Sequence, residues 1–549
     1  MVLPINRHGV PRRTVLAAGA AAAGAALLGA RPALGSGSTP AARDGFFAES
    51  TVWASGEDGV VTHFVYGLAV TTRDTVLAFS EARLSRADDG AHHVVCRRSV
   101  DGGATWGDTI AIETSEGEES WANPTPLVDR WTGRVFVFYA LNEHNAASRV
   151  FFRSTDDDGR SWSDRSEVTG LFDGDEHEWT FHLPGPGHGI QLVDGRLVQQ
   201  VWHRRGVAFP ADQRRYGVGV IVSDDHGATW RAGGVAPVSP IYPVNESRLV
   251  QRPDGSIVLN GRYSSGGVHP RITAVSVDRG ESWSPLVFDS SVAHFTAVDA
   301  SFTRYTGGPG SHALSRTLFS RPDSTTGREN LTVSLSYDEG CSYPYSRTVY
   351  PGRSSYSDIA RLADGTILVL YGKDVSTTNN VVDHVALARF DLAWLTGGED
   401  SLRRGTRIRE VRLPAETARW RVSGGAAEAV ADLNASGYRL LDYVAAAPGD
   451  RLELSVPVPL PGVYVVTARC RQDAAAGVVR ASIVGVGPGE TFAPAIDVGT
   501  AFREFSCGRF TIARPGTYRL RLAIDGPGAG GGTGLGLDHI RLTQVPPGR

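Results

Sequence analysis

The sequence has little net charge and little helical patterning. Its 549 residues include 55 Lys and Arg against 59 Asp and Glu, which gives a net charge of −4. Because no basic stripe stands out, nothing favours a nucleic-acid partner. Apolar runs with the helical period are nearly absent after residue 45, and no run after residue 35 is long enough to span a bilayer. With 65 glycines available for turns, this composition predicts an all-β protein.

The histidines and cysteines give little indication of a metal site, and they suggest at most one disulfide. No ligand spacing joins His92, His93 and His188, so we interpret them as structural and predict neither a metal nor a cofactor. The sequence has four cysteines. We expect Cys470 and Cys507, on predicted strands near the C-terminus, to form a disulfide in an exported protein. The other two, Cys96 and Cys341, are expected to be buried thiols.

The first 35 residues differ from the rest of the chain. A basic segment with the pair Arg12 and Arg13 precedes an Ala-rich apolar run, and small residues follow at Ala33 and Gly35. This order is typical of a cleaved secretory signal of the twin-arginine type, and the alternative is a membrane anchor. We therefore predict a signal peptide at 1–35, a disordered leader at 36–45 and a secreted protein with no membrane segment after cleavage.

A short sequence word occurs five times. It has Ser or Thr first, Asp third, Gly fifth, a hydroxyl residue seventh and Trp or Tyr eighth, and its copies start 56, 68, 53 and 60 residues apart. Ser and Asp can bond the backbone of a tight turn, Gly accepts a positive φ, and the aromatic ring packs under the turn. The word predicts hairpin tips, and its spacing predicts a radial β architecture. The copies are 99–106, 155–162, 223–230, 276–283 and 336–343.

Two domains are predicted to follow the leader. Strand and turn patterns alternate over about 350 residues, which with the repeats suggests a six-bladed β-propeller at 46–400. A polar, Gly-bearing stretch at 396–405 suggests the boundary. The remainder, 401–549, fits one β-sandwich. It resembles the carbohydrate-binding and golvesin-like sandwiches of secreted glycosidases, so a carbohydrate-binding and a purely structural module are both open.

Six segments lie between or beside the repeats in a fixed order. With the repeats, they resemble the sialidase (neuraminidase) superfamily over residues 60–375, and the family's name for the repeat word is the Asp-box. The resemblance implies a glycan substrate, and it leaves the oligomeric state open. The segments are 77–83, 86–90, 185–192, 245–247 with 259–262, 328–333 and 355–359.

The resemblance implies a role for particular residues. Tyr356 would be the nucleophile and Glu246 its base, and Asp88 or Asp89 would be the acid/base. A sialoside carries a carboxylate on its anomeric carbon, which repels a carboxylate nucleophile, and sialidases use tyrosine instead. Phenol has a pKa near 10, so it needs a base beside it. The predicted substrate-binding residues are Arg271 and Arg328, which would hold the carboxylate, together with Arg83 and Gln191.

Two positions depart from the family pattern. Phe64 stands where the family has the first of three arginines, and Gly372 follows Tyr371 where the family often has glutamate. Either another group, such as Arg83 or His63, compensates for the missing guanidinium, or the sugar is not an ordinary sialic acid. Three hypotheses follow: a retaining exo-sialidase, a glycosidase of the same fold acting on another sugar, and a non-catalytic glycan-binding propeller.

Overall fold

The protein, described by a computed structural model, is built almost wholly of strands. The structure describes residues 45–289, 291–309, 311, 313–376, 381–402, 410–432, 434–435, 439–496 and 501–545. Within these ranges there are 37 strands, one α-helix, Leu392–Thr396, and two 3-10 helices, Thr169–Phe172 and Ala211–Gln213. The all-β prediction is confirmed. The predicted signal and all of the predicted leader except residue 45 lie outside the described residues.

The strands fall into two groups along the chain. The first group is β1 Phe47–Ala54, β2 Thr62–Val70, β3 Val76–Arg83, β4 His92–Ser99, β5 Ile110–Glu113, β6 Ser120–Val128, β7 Val135–Glu143, β8 Ala147–Thr155, β9 Ser166–Glu167, β10 Phe181–Pro184, β11 Ile190–Gln191, β12 Leu197–Arg204, β13 Gly217–Ser223, β14 Arg231–Val235, β15 Val244–Gln251, β16 Ile257–Tyr263, β17 Val268–His269, β18 Arg271–Ser276, β19 Val287–Asp289, β20 Phe295–Thr296, β21 Ser301–Thr306, β22 Arg316–Pro322, β23 Glu329–Ser336, β24 Tyr345–Arg361, β25 Ile367–Val375 and β26 Val382–Phe390. The second group is β27 Glu410–Pro414, β28 Trp420–Ser423, β29 Ala426–Ala431, β30 Arg439–Val444, β31 Arg451–Val458, β32 Gly462–Gln472, β33 Gly477–Ile483, β34 Gly487–Phe492, β35 Ala501–Ile512, β36 Gly516–Pro527 and β37 Gly534–Val545.

Antiparallel pairing arranges the described part of the first group into six units of four strands. The long strand β24 serves two units, because its first half pairs with β23 and its second half with β25. The N-terminal strand β1 pairs with β26, so both ends of the group lie in one unit. The number of blades stays a prediction, and these units are the observation that supports it. The units are β2-β3-β4-β5, β6-β7-β8-β9, β10-β12-β13-β14, β15-β16-β18-β19, β21-β22-β23-β24 and β24-β25-β26-β1.

The five repeat words form tight turns after the third strand of a unit. In the third copy, the Asp225 carboxylate accepts the Thr229 N–H at 2.9 Å and the Thr229 hydroxyl at 2.6 Å. The Ser223 hydroxyl accepts the Gly227 N–H at 2.8 Å, and Gly227 has a φ of +81°. Each copy repeats this pattern, which satisfies the polar groups locally. The structure therefore places the words in hairpin tips.

Buried charges join the inner strands around the centre of the first group. The Asp358 carboxylate accepts the Leu68 N–H at 2.9 Å and lies 2.9 Å from His188 Nδ1. Arg248, which is fully buried, forms an ion pair of 2.7 Å with Asp299. Because these groups belong to different units, the network ties β2, β15 and β24 together across the centre.

The second group forms two sheets that share an apolar core. One sheet has the order β29-β30-β37-β32-β35 with β27 on β37, and the other has the order β28-β31-β36-β33-β34. Leu522 of one sheet and Ile540 of the other lie in one buried cluster, which also contains Leu335 of β23. This arrangement fits the predicted sandwich, and the boundary at residue 400 stays a prediction.

The fifth repeat contacts the second group. The backbone N–H of Arg412 donates to the Asp338 carboxylate at 2.9 Å. Burial raises the pKa of Asp338 to about 6. This copy therefore serves as a contact between the two groups, in addition to closing its own turn.

The predicted disulfide is wrong, because all four cysteines are free and buried. Cys470 of β32 lies opposite Arg503, whereas Cys507 precedes Gly508, which lies opposite Val466. The two cysteines are on neighbouring strands but not at facing positions. No helix among the described residues is long and apolar enough to cross a membrane.

Candidate active site

Tyr356, Glu246 and Arg262 form a closely bonded cluster at one end of the inner strands. The Tyr356 hydroxyl donates to Glu246 Oε1. Arg262 Nη1 donates to Glu246 Oε2 at 2.6 Å and to the Tyr356 oxygen at 3.0 Å. Tyr356 and Glu246 are 6% and 7% exposed, so the bonds are shielded from water. The structure brings the predicted nucleophile and base into direct contact.

The strands explain why these side chains meet. Glu246 is on β15 and Arg262 on β16, and these strands pair with Ser247 opposite Gly261. The pairing register shifts between Val244 and Ser247, next to Glu246. Such irregularities bend a strand and redirect a side chain. Tyr356 comes from β24, whose pairing with β25 shifts between Ser354 and Ser357.

Arg328 and Phe64 lie next to the Tyr356 ring. The Arg328 guanidinium carbon lies 5.6 Å from the ring centroid, and the Phe64 ring centroid lies 5.0 Å from it. Burial raises the pKa of the Tyr356 hydroxyl well above its ordinary value, and the Glu246 charge adds to this rise. Arg262 and Arg328 act in the opposite direction. The phenol is therefore neutral at rest and hydrogen-bonded to the group that can take its proton.

Asp88 is held beside this cluster by Arg83. Arg83 Nη1 lies 2.6 Å from Asp88 Oδ1, and Arg83 Nη2 lies 2.6 Å from the buried Glu81 carboxylate. Desolvation alone would raise the pKa of Asp88, but the charge of Arg83 holds it below the usual value. The Asp88 side chain is 79% exposed and therefore open to solvent. Among the described residues, no hydrogen bond links the Asp89 side chain to this cluster, although Asp89 is next in the same turn.

Arg271 is not brought into the cluster. It is 2% exposed, and it donates to Asn260 Oδ1 at 2.8 Å and to the carbonyl oxygens of Asn260 and Val298. Burial lowers the pKa of Arg271 to about 10. Because its donors are used by the protein itself, the predicted substrate-binding role does not fit. Arg271 instead fixes Asn260, two residues before Arg262 on β16.

Gln191 also lies elsewhere, at the opposite end of the inner strands. Its side chain donates to Asp129 Oδ1 at 2.6 Å and to the Gly195 carbonyl at 3.1 Å, and its Oε1 accepts the Arg130 N–H. These bonds brace two neighbouring turns. Gln191 therefore does not fit the predicted substrate-binding role.

Of the two residues that could compensate for the missing arginine at residue 64, His63 is neutral and Arg83 lies against Phe64. Burial lowers the pKa of His63 to about 3, and its ring stacks on Trp53 at 5.1 Å, so it is neutral. The guanidinium carbon of Arg83 lies over the Phe64 ring, 4.9 Å from its centroid. The guanidinium groups next to Tyr356 are therefore those of Arg262 and Arg328.

Comparison with known proteins identifies the family. A BNR repeat-like domain matches residues 74–369, more than half of the chain. The chain belongs to the sialidase/BNR-repeat superfamily. A sialidase from Micromonospora viridifaciens is 31% identical over 404 residues, which are 69% of this chain and 59% of the relative. One from Bacteroides fragilis is 26% identical over 352 residues, 59% of this chain and 62% of the relative. The chain thus spans about three fifths of the length of these relatives.

A solved structure from the same superfamily has a similar fold. A Hadza microbial sialidase aligns with a TM-score of 0.54 and 25% identity, covering 63% of this chain and 69% of that one. The predicted recognition of the superfamily is therefore confirmed. The assignment of individual site residues rests on the geometry described above.

Sequence reasoning missed Arg262 as a pocket residue of this sialidase-superfamily chain. The segment 259–262 belongs to the resemblance, but a fixed distance from a repeat favours the arginine nine residues later. The signal that could have identified Arg262 is its position opposite Glu246 in a predicted strand pair. Arg262 lies 16 residues after Glu246, on the next strand of the same hairpin, where a buried carboxylate needs a cationic partner.

The two departures from the superfamily pattern lie near each other. A Cβ on Gly372 would come within 2.5 Å of the Tyr66 hydroxyl and 2.1 Å of Ser355 Oγ. The Tyr66 and Phe64 rings are 6.3 Å apart. Thus residue 372, where the family often has a glutamate, has no room for that side chain. It lies near residue 64, where the family has an arginine.

Among the described residues, no group of three or more His, Cys, Asp or Glu side chains is placed to hold a metal ion. The three histidines considered in the sequence have separate partners. His92 Nε2 lies 2.9 Å from the Ala87 carbonyl, His93 Nδ1 accepts the Ser115 N–H, and His188 bonds Asp358.

Proposed function

We propose that the protein is a retaining glycosidase that releases terminal sialic-acid-like sugars through a tyrosine nucleophile. The observation that carries this proposal is the Tyr356–Glu246 hydrogen bond with Arg262 bonded to both residues. A purely structural buried tyrosine has no need of a carboxylate base, a bridging arginine and a second guanidinium near its ring. The names of the relatives support the same activity.

The first chemical step forms a covalent intermediate. As the Tyr356 oxygen attacks the anomeric carbon, its proton passes to Glu246 and the bond to the leaving oxygen breaks. Asp88 gives a proton to that leaving oxygen. Asp88 is ionised at rest beside Arg83. Desolvation by a bound substrate raises its pKa, and Asp88 takes up a proton from solvent before it donates one to the leaving oxygen.

The second step reverses the proton transfers. Asp88, now a carboxylate, takes a proton from water, and the water oxygen attacks the anomeric carbon. The bond to Tyr356 breaks, and the phenolate recovers its proton from Glu246. Two displacements at one carbon give retention of configuration.

Arg262 and Arg328 are proposed to hold the substrate carboxylate. Both guanidinium groups adjoin Tyr356, and charge-assisted bonds from arginine suit a carboxylate. With Phe64 in the third place, one contact worth roughly 1.5–3 kcal/mol is absent. This observation favours a second candidate, in which the preferred sugar is a related ulosonic acid, with an apolar group against Phe64, rather than the common sialic acid.

Two further parts of the proposal concern the whole protein. The N-terminal segment is proposed to direct secretion, which fits an enzyme that acts on external glycoconjugates. The C-terminal sandwich is proposed as a module that either binds carbohydrate or supports the fifth and sixth units, with which it shares a buried cluster.

Hydrolysis of aryl glycosides tests the activity. The purified protein is incubated with aryl α-glycosides of sialic acid, of its deaminated analogue and of common hexoses. We expect release from one of the ulosonic acid substrates, and loss of release in Tyr356→Phe. Tyr464→Phe, a buried tyrosine of the C-terminal sheets, is the matched control. No release from any substrate would leave the glycan-binding hypothesis, and full activity in Tyr356→Phe would exclude the mechanism.

A further inference from the structure

A second cavity opens at the end of the inner strands opposite Tyr356. Phe64 and Tyr356 mark one end of β2 and β24, whereas Val70 and Arg361 at the other end line a cavity of about 670 Å³. Val70 lies six positions after Phe64 along β2, a rise of about 20 Å. Buried Asp358 and Arg248 lie between the two ends. This cavity is therefore separate from the candidate active site.

Two arginines in this cavity have no carboxylate partner among the described residues. Arg361 Nη1 donates to the Tyr305 carbonyl at 2.9 Å, but its buried Nε has no hydrogen-bond partner in the described structure. Desolvation, followed by the charge of Arg361, lowers the pKa of Arg130, so the two cations act on each other. The nearby Asp74 carboxylate accepts the Ala363 N–H. Arg304, also in the wall, is paired with Glu339.

An exposed tryptophan follows Arg130, which lines the cavity, in the same turn. Trp131 is 62% exposed, although tryptophan is usually largely buried. One side of its ring packs on Gly195, and His226 lies 5.5 Å from it. The backbone N–H of Trp131 donates to Asp129 Oδ1 at 2.9 Å, which fixes the turn. The ring is thus held in place by the neighbouring turns while much of its surface faces solvent.

We propose that this end of the first group is a second, non-catalytic binding site for a carboxylate-bearing glycan. Arg130 and Arg361 bind the carboxylate, and Trp131 stacks on an adjoining sugar ring. Two like charges that face one cavity are stabilised by a bound anion. A fixed ring beside them supplies an apolar face at little entropic cost. The site would hold one branch of a polyvalent glycan while the terminus of another branch enters the active site. Binding at the second site therefore raises the local concentration of glycan termini near the active site.

Calorimetry with the inactive full-length protein tests the proposal. In Tyr356→Phe, 3′-sialyllactose, a disaccharide with terminal glucuronate, and lactose are titrated separately. We expect a binding event for one or both acidic sugars that weakens by about tenfold or more in Arg130→Gln and in Arg361→Gln, the loss of a charge-assisted contact. Trp131→Ala should weaken the same event, while Trp131→Phe should retain most of it. The two acidic probes distinguish sialic acid from uronic acid recognition.

The control is Arg160→Gln, which removes an exposed arginine from a repeat turn and should change nothing. If Arg361→Gln fails to fold, the exposed Arg130 and Trp131 variants carry the test alone. Acidic-sugar binding that is unchanged in all of these variants overturns the proposal, as does binding of lactose with equal affinity. The measurement is the binding that is lost in the Arg130, Arg361 and Trp131 variants. It therefore does not depend on whether the active site also binds the same sugar.

Discussion

The repeat turns and the Tyr356 cluster satisfy their polar groups in contrasting ways. Each turn closes its hydrogen bonds within eight residues, as Asp225 does with Thr229. The cluster takes Glu246, Arg262 and Tyr356 from strands up to 110 residues apart along the chain. A local unit can be copied and moved without losing its bonds. The cluster exists only when the whole first group is folded. The repeats therefore set the positions of the hairpin turns, whereas the proposed catalytic residues come from the inner strands.

Removing the base of the cluster should have the largest effect. Glu246→Gln is expected to lower kcat/KM by about 10²- to 10⁴-fold, the usual contribution of a general base. The variant also loses the charge that raises the pKa of Tyr356, while Arg262 and Arg328 still lower it. The pKa of the phenol therefore falls, and the residual rate should climb with pH across the neutral to alkaline range. A pH profile of kcat/KM checks this, and a residual rate independent of pH would contradict the role of Glu246.

Removing the acid should have an effect that depends on the leaving group. For an alkyl sialoside, Asp88→Asn is expected to slow cleavage by about 10²- to 10⁴-fold. A nitrophenyl sialoside needs little protonation, so its cleavage to the covalent intermediate should be far less affected. Rapid-quench measurements separate this step from hydrolysis of the intermediate, which should also slow. Asp89→Asn is the matched control, and equal losses for both substrates would argue against Asp88 as the acid.

Substitutions of the arginines on β16 and β18 should have different effects, one mainly on activity and the other mainly on stability. Arg262→Met removes a charge-assisted contact of roughly 1.5–3 kcal/mol, so kcat/KM should fall by roughly 10- to 150-fold. Arg271→Met removes internal bonds to Asn260 and Val298, and it should mainly lower the melting temperature. Kinetics and thermal unfolding of both variants make the comparison. A larger kinetic loss in Arg271→Met would restore the original prediction from sequence.

Breaking one repeat turn should have the smallest effect. Asp225→Ala is expected to lower the free energy of unfolding by about 1 kcal/mol, because the bonds are exposed, and to leave kcat/KM unchanged. Bonds from the Thr229 side chain and backbone lower the pKa of Asp225 from 3.8 to about 2. The stabilisation is therefore present above the unfolded pKa and is lost as the pH falls through about 2. Chemical denaturation at neutral and acidic pH checks both points, and a large loss of activity would contradict the local character of the turn.

The sequence by itself determined the features that depend on short-range chemistry. Its turn residues and strand patterns predicted the all-β class, the position of the five turns and the positive φ of their glycines. The order of the intervening segments indicated the superfamily and the pairing of Tyr356 with Glu246. These inferences need only neighbouring residues or a resemblance in order along the chain.

The tertiary structure decided which arginines meet the tyrosine. A fixed distance from a repeat favoured Arg271, but strand pairing and the bend beside Glu246 put Arg262 in contact with the cluster and leave Arg271 bonded inside the protein. It likewise placed Gln191 at the far end and kept the two C-terminal cysteines apart. The direction of a side chain changes with each residue along a strand and with each irregularity of register. The spacing of motifs therefore does not determine where a long side chain ends.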